Sequence, residues 1–205
     1  MNWLALLPHF CLNCSAPCES MDLCLKCRDD LPWTLEEFAC LPYEKATALF
    51  DYREPIDDWI KQLKFSRKLY IAKLLGLLLS EQLDRDWSAV VAIPLHKKRL
   101  QKRGYNQAEE IAQFVAQTLK LPLIQPCIRN KATQRQTDLN KKDRANNVIE
   151  AFECERIDFC NRLLIIDDVA STGSTLKAFG EALKQQNPNV QLDAWVIAHG
   201  FDRKN

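Results

Sequence analysis

Apolar residues recur along this chain in two patterns. Ile56, Ile60 and Leu63, followed by Ala72, Leu75, Leu79 and Leu83, fall at helical spacing and predict two helices with one face each on a core. Ala108, Ile111, Ala112, Val115 and Leu119 form a third such stripe, and Leu176, Phe179 and Leu183 a fourth. Between the stripes lie short apolar runs: Thr47–Tyr52, Ala89–Ile93 stopped by Pro94, Leu121–Ile128, Leu163–Ile166 and Val190–Ala198. A short run that is apolar on both faces is the mark of a buried parallel strand. Helices alternating with such strands predict an α/β fold built on an open parallel sheet.

The stretch that organises the rest is Leu163–Thr175, which reads LLIIDDVASTGST. Asp167 and Asp168 follow the apolar run at its carboxyl end, where open α/β sheets place their ligands. A turn of small residues then opens the fourth helix: Val169, Ala170, Ser171, Thr172, Gly173, Ser174 and Thr175. Backbone N–H groups and hydroxyls at a helix N-terminus form an anion site, with phosphate the natural guest. Two acids beside it suit a sugar phosphate, whose hydroxyls they accept from. No Lys follows Gly173, so this is no Walker A loop, and a single glycine does not make a dinucleotide fingerprint. The simpler reading is a core strand whose Asp and Ser residues cap the next helix.

A second anion site is predicted after the Ala89–Ile93 strand. Leu95, His96, Lys97, Arg99 and Arg103 belong to a loop from Pro94 to Arg103, in which five of the seven residues from 97 to 103 are basic. Cations there would hold a pyrophosphate; the competing reading is a basic surface loop. Arg129, Thr133, Gln136 and Arg144 lie in a polar stretch between two core strands, with a short helix expected within 139–148. Such an insertion reads as a lid over the site, or as a linker. Lys64 is a further candidate ligand contact, the competing reading being a solvated lysine.

Cys11, Cys14, Cys24 and Cys27 form two C-x2-C knuckles nine residues apart. Four thiolates complete a tetrahedral structural zinc site; redox pairs are the alternative. Cys18 reads as a spare thiol. The expected division is a zinc-binding module over residues 1–40 and an α/β domain over 41–205.

Composition narrows the partners. At 205 residues, 47% hydrophobic and net charge +1, the chain has core enough for an ordinary domain. Residues 96–144 hold twelve Lys/Arg against four Asp/Glu, a basic region suited to pyrophosphate, nucleotide or nucleic acid. No stretch approaches the about 18–20 apolar residues of a membrane span, and the start MNWLALLPHF is a poor signal peptide. The expectation is a cytoplasmic protein whose nine cysteines are thiols and metal ligands rather than a disulfide framework.

Taken together, these segments resemble the ComF/GntX family of competence-associated, amidophosphoribosyltransferase-like proteins. The resemblance runs over nearly the whole chain. It rests on the cysteine knuckles with Leu31-Pro32-Trp33, on Tyr52 and Leu63-Lys64-Phe65, and on Pro94-Leu95, Arg99 and Arg103-Gly104-Tyr105-Asn106-Gln107. Arg129, Thr133, Gln136, Leu139, Arg144, Asn147 and Val148 and the Asp167–Thr175 signature complete it. Three positions depart from the family pattern: Ser171, His199 and the turn Asn187-Pro188-Asn189. With no Cys at position 2, glutamine-dependent amidotransfer is not expected.

The resemblance implies a type I phosphoribosyltransferase fold, an open parallel sheet with flanking helices and a hood, behind a zinc-finger head. It implies a site for phosphoribosyl diphosphate (PRPP) with Mg²⁺, in which Asp167 and Asp168 are the catalytic acids. It further implies a role in natural transformation, handling imported DNA with a helicase-like or recombination partner. Three functions stay open on these grounds: a phosphoribosyltransferase of unknown acceptor, a single-stranded DNA-binding competence factor with Tyr105 as stacking platform, and a PRPP sensor without turnover.

Overall fold

The computed structural model describes residues 9–18, 23–84, 87–130 and 151–200. Thr133, Gln136 and Arg144, and the helix expected within 139–148, lie outside the described residues.

The fold is mixed α/β around a six-stranded sheet. At the head of the chain, β1 (His9–Phe10) pairs antiparallel with β2 (Pro17–Cys18), and helix α1 (Leu25–Asp29) follows. Strand β3 (Trp33–Glu37) then lies antiparallel on β4 (Lys45–Asp51), at the sheet edge. Helices α2 (Ile56–Phe65) and α3 (Tyr70–Ser80) lead to β5 (Ala89–Ala92). After β5 come α4 (Lys97–Arg103), α5 (Gln107–Leu119) and β6 (Leu123–Ile124). A separate antiparallel pair, β7 (Cys127–Arg129) and β8 (Phe152–Cys154), precedes β9 (Arg162–Ala170), α6 (Ser174–Gln186) and β10 (Gln191–His199). Sheet order is β3-β4-β10-β9-β5-β6, parallel throughout except at β3.

Side-chain alternation splits the core into two layers. Val90, Ala92, Leu164, Ile166 and Ile197 pack against α2, α3 and α5. Ala89, Val91, Leu163, Ile165, Ala194 and Val196 pack against α6 through Leu176, Phe179 and Leu183. Both faces are covered, which explains the uninterrupted apolar runs.

The chain order sets the site. Strand β5 leaves through α5 to β6 on one side, and its neighbour β9 leaves through α6 to β10 on the other. Adjacent parallel strands whose crossovers diverge leave a crevice at their carboxyl ends, the topological switch point where α/β sheets bind ligands.

Three expectations change. The strand around Leu163 extends through the acids to Ala170. The run 121–128 divides, β6 staying in the sheet while β7 turns away to β8. The basic stretch expected as a loop contains helix α4, none of whose residues is buried.

Candidate functional site

On the β9 side of the switch point, the turn after Ala170 opens α6. Its N-cap is Gly173, at φ 68° with no side-chain cap hydrogen bond. A left-handed residue there favours glycine. The N–H groups of the first turn have no intrahelical acceptor, and the exposed hydroxyls of Thr172 and Ser174 meet at 2.9 Å beside them. Asp167 and residues 169–176 line a recess of about 30 Å³.

Asp167 and Asp168 stand just before this turn, both buried. Because they are consecutive in a strand, they point to opposite faces. Asp167 accepts the Asp168 N–H at 2.9 Å, and Asp168 accepts the Val169 N–H at 3.0 Å. Burial drives the Asp167 carboxyl well above its usual range, and the neighbouring Asp168 charge adds to the rise. Asp168 faces α2, where Lys64 Nζ lies 2.6 Å from its Oδ2. The two carboxyls thus interact but in unlike settings: Asp167 is desolvated, and Asp168 is bound to a cation whose charge also works against the Asp167 rise.

Across the crevice, α4 starts at His96. Its Nδ1 caps the helix by accepting the Lys98 N–H at 3.2 Å, which places the neutral ring's proton on Nε2. Lys97, Lys98 and Arg99 are exposed; half-buried Leu95 precedes them. At the other end, Gly104 closes α4 at φ 87°. Arg103 reaches Gln107 and lies 5.6 Å over the Phe65 ring. Burial pulls its guanidinium below the usual range, and Asp168 opposes that shift. Tyr105 donates to the Leu63 carbonyl. Asn106 donates to the Ile93 carbonyl at 3.0 Å. Arg103-Gly104-Tyr105-Asn106-Gln107 is thus the corner that fastens α4, α5 and α2 around the end of β5.

Arg129, on β7, is buried and lies 5.1 Å over the Phe152 ring. Burial lowers its pKa, as does Arg99, while Asp167 works against the shift. The β7–β8 pair carries a disulfide, Cys127–Cys154. For these two residues it corrects the expectation that the cysteines are thiols and metal ligands; the other seven are free thiols. Backbone bonds from Glu155 to Pro126 and from Asn130 to Ala151 make Cys127 and Cys154 a non-hydrogen-bonded cross-strand pair, in which opposed side chains come closest.

Cys11, Cys14, Cys24 and Cys27 converge, their sulfurs all within 4.8 Å of one another. Four thiolates about 2.3 Å from one zinc ion would sit about 3.8 Å apart, and Cys14 and Cys24 Sγ lie 3.8 Å apart. The donor set fits a metal such as zinc. Asn13 favours the Cys27 thiolate through its amide, but burial and the sulfurs of Cys14, Cys24 and Cys11 outweigh it, pushing that thiol up to about 12. A dication in their midst would displace that proton. Among the described residues Cys18 is outside the cluster. No helix among the described residues is long and apolar enough to cross a membrane.

No family model matches the chain. The sequence is similar to the DNA utilization protein YhgH of Escherichia coli K12, at 30% identity over 95% of this chain and 95% of that protein. The chain belongs to the ComF family. It is also 28% identical to Competence protein F of Haemophilus influenzae, over 92% of this chain and 89% of that protein. Competence protein ComFC of Streptococcus pneumoniae is 25% identical over 82% of this chain and 73% of its own length.

Within this ComF chain, sequence reasoning undervalued Lys64, whose meaning depends on α2 ending beside Asp168. It also offered Tyr105 as a stacking platform, yet that residue is half-buried and bonded; nearby Phe65 is exposed, at 76%. Two of the family departures acquire places. His199 stacks on Phe38 at 4.9 Å. Asn187 binds the backbone of Glu155 and Ile157 at 3.0 and 2.7 Å, fixing the approach to β9.

Proposed function

We propose that this protein acts in DNA utilization or competence through a PRPP-binding site at the switch point between β5 and β9, within a type I phosphoribosyltransferase fold. The DNA role is carried by the relatives' names. The observation that carries the ligand is convergence: an α6 N-terminus whose N-cap, Gly173, makes no side-chain cap, with clustered hydroxyls, two acids and a cationic helix at one crevice.

In this reading Val169–Thr175 hold the 5′-phosphate, as helix N-termini hold anions. Asp167 and Asp168 accept from the ribose hydroxyls. Leu95, His96 and Lys97 at the start of α4, together with Arg99 and Arg103, hold the diphosphate. Cations there also serve displacement at C1′, because negative charge builds on the leaving diphosphate. Arg129 closes the Asp167 side, and Thr133, Gln136 and Arg144 are the further lid residues of the proposal. Among the described residues the cysteine cluster is the one group of three or more acids, histidines or cysteines gathered for a metal. Mg²⁺ therefore fits as an ion carried on the diphosphate oxygens rather than in a protein cage. The cysteine site takes a structural zinc, every position being filled by protein.

One observation favours a second reading, single-stranded DNA binding. Phe65 is exposed beside Arg103 and the cations of α4, the combination of stacking ring and positive track that binds single strands.

Calorimetric titration with PRPP and Mg²⁺ tests the first reading: saturable heat at one ligand per chain supports it, and none from folded protein removes it. Oligonucleotide anisotropy across a salt series tests the second. Affinity should fall steeply with salt, and undetectable binding at low salt rules it out.

A further inference from the structure

Lys64 is the last lysine of α2, and its ammonium is the direct partner of Asp168 at 2.6 Å. Both side chains are largely withdrawn from water, 21% and 6% exposed. Desolvation offsets much of the attraction in such a pair, so it adds little to stability. Breaking it from one side is another matter, because the remaining charge is left buried and unmatched. Arg103 lies on the same face, close enough that Asp168 works against the fall in its pKa. Asp168 therefore sits among cations, and the other carboxyl that the Lys64 charge reaches, Asp167, is one whose burial disfavours its charged form.

We infer that Lys64 is an exchangeable counter-ion that makes the site select ligands with an anionic group at C1. This rests on the PRPP reading above. A ribose hydroxyl that takes the place of the ammonium on Asp168 Oδ2 brings a hydrogen bond but no charge, so the displaced Lys64 needs another anion. A ligand whose C1 substituent is a diphosphate supplies the replacement anion. Ribose 5-phosphate, whose only phosphate occupies the turn at α6, supplies none. Lys64 thus penalises the ligand lacking the second anion, which is specificity through an unpaired charge.

The test is titration of wild type, Lys64→Gln and Lys64→Arg with PRPP and with ribose 5-phosphate, both with Mg²⁺, after thermal melts confirm folding. Wild type should prefer PRPP. Lys64→Gln should lose about tenfold or more in PRPP affinity while ribose 5-phosphate binding holds or improves, so the preference collapses. Lys64→Arg should keep most of it. If Lys64→Gln does not fold, Lys64→Met, which keeps the apolar stem, gives the same comparison. Equal weakening of both ligands would mean a merely structural role, and no change in either would mean no role; each overturns the inference. Wild type binding neither ligand removes the PRPP reading and the inference with it, a result distinct from the other two.

Discussion

Asn106 joins two elements with one side chain: Nδ2 donates to the Ile93 carbonyl at 3.0 Å, and Oδ1 accepts the Ala108 N–H at 3.2 Å. The first bond holds the end of β5 and the second caps α5. Asn106→Ala leaves a buried carbonyl and a helix N-terminus without these partners. It should cost about 1–3 kcal/mol, read as a lower urea midpoint with an unchanged slope. An unshifted midpoint would show that the corner is held by its other contacts.

The cysteine cluster shares its core with the main body. Cys11, Leu23, Cys27 and Leu31 pack in the same cluster as Ile56, Ile60 and Leu75. Loss of metal should therefore weaken more than the head. Elemental analysis should find one zinc per chain, and chelation or Cys27→Ser should lower the melting temperature by at least about 5 °C. A metal-free protein with the same melting point would contradict the structural role.

Asp167 is strained by its burial. Its carboxyl titrates well above the ordinary 3.8 in the folded chain, so the folded state binds the proton more tightly than the unfolded one. Stability then falls as pH rises from the unfolded value through the folded one. Asp167→Asn keeps the oxygen that accepts the Asp168 N–H and removes the charge. It should raise the melting temperature at neutral pH, lose that advantage below about pH 4, and weaken PRPP binding. Equal melting points across that range would show that Asp167 is well solvated.

Gly173 carries the turn at φ 68°. Alanine there costs about 1–2 kcal/mol for its left-handed backbone, although the nearest side-chain atom, Cys40 Sγ, is 3.8 Å from an added Cβ. With steric space available, the damage should fall on turn geometry. Gly173→Ala should weaken PRPP binding severalfold, measured by calorimetry, alongside that modest loss in a urea melt. Unchanged affinity would dissociate the turn from the phosphate.

Much of the frame is legible in the sequence because its signals are local. Leu163–Ile166 reads as a strand since both its faces are buried, and the cysteine knuckles read as a metal site from spacing alone. Helix α4 escapes because KKRLQKR has no apolar period; His96 at its start and Gly104 at its end make it. The Cys127–Cys154 bond depends on the register of two strands 27 residues apart, and no local pattern encodes that. Lys64 and Phe65 are likewise ordinary residues until α2 is placed against β9 and Arg103. Opposite-facing Asp167 and Asp168 follow from a strand that runs longer than its apolar run.

On the proposed function, a phosphoribosyl ligand occupies the crevice between β5 and β9. Residue-resolved amide shifts during titration with PRPP and Mg²⁺ test it most directly. Saturable shifts are expected at Ser171–Leu176 and at Leu95–Arg99, with the cysteine cluster unmoved. Shifts confined to another surface, or none at saturating ligand, would contradict it.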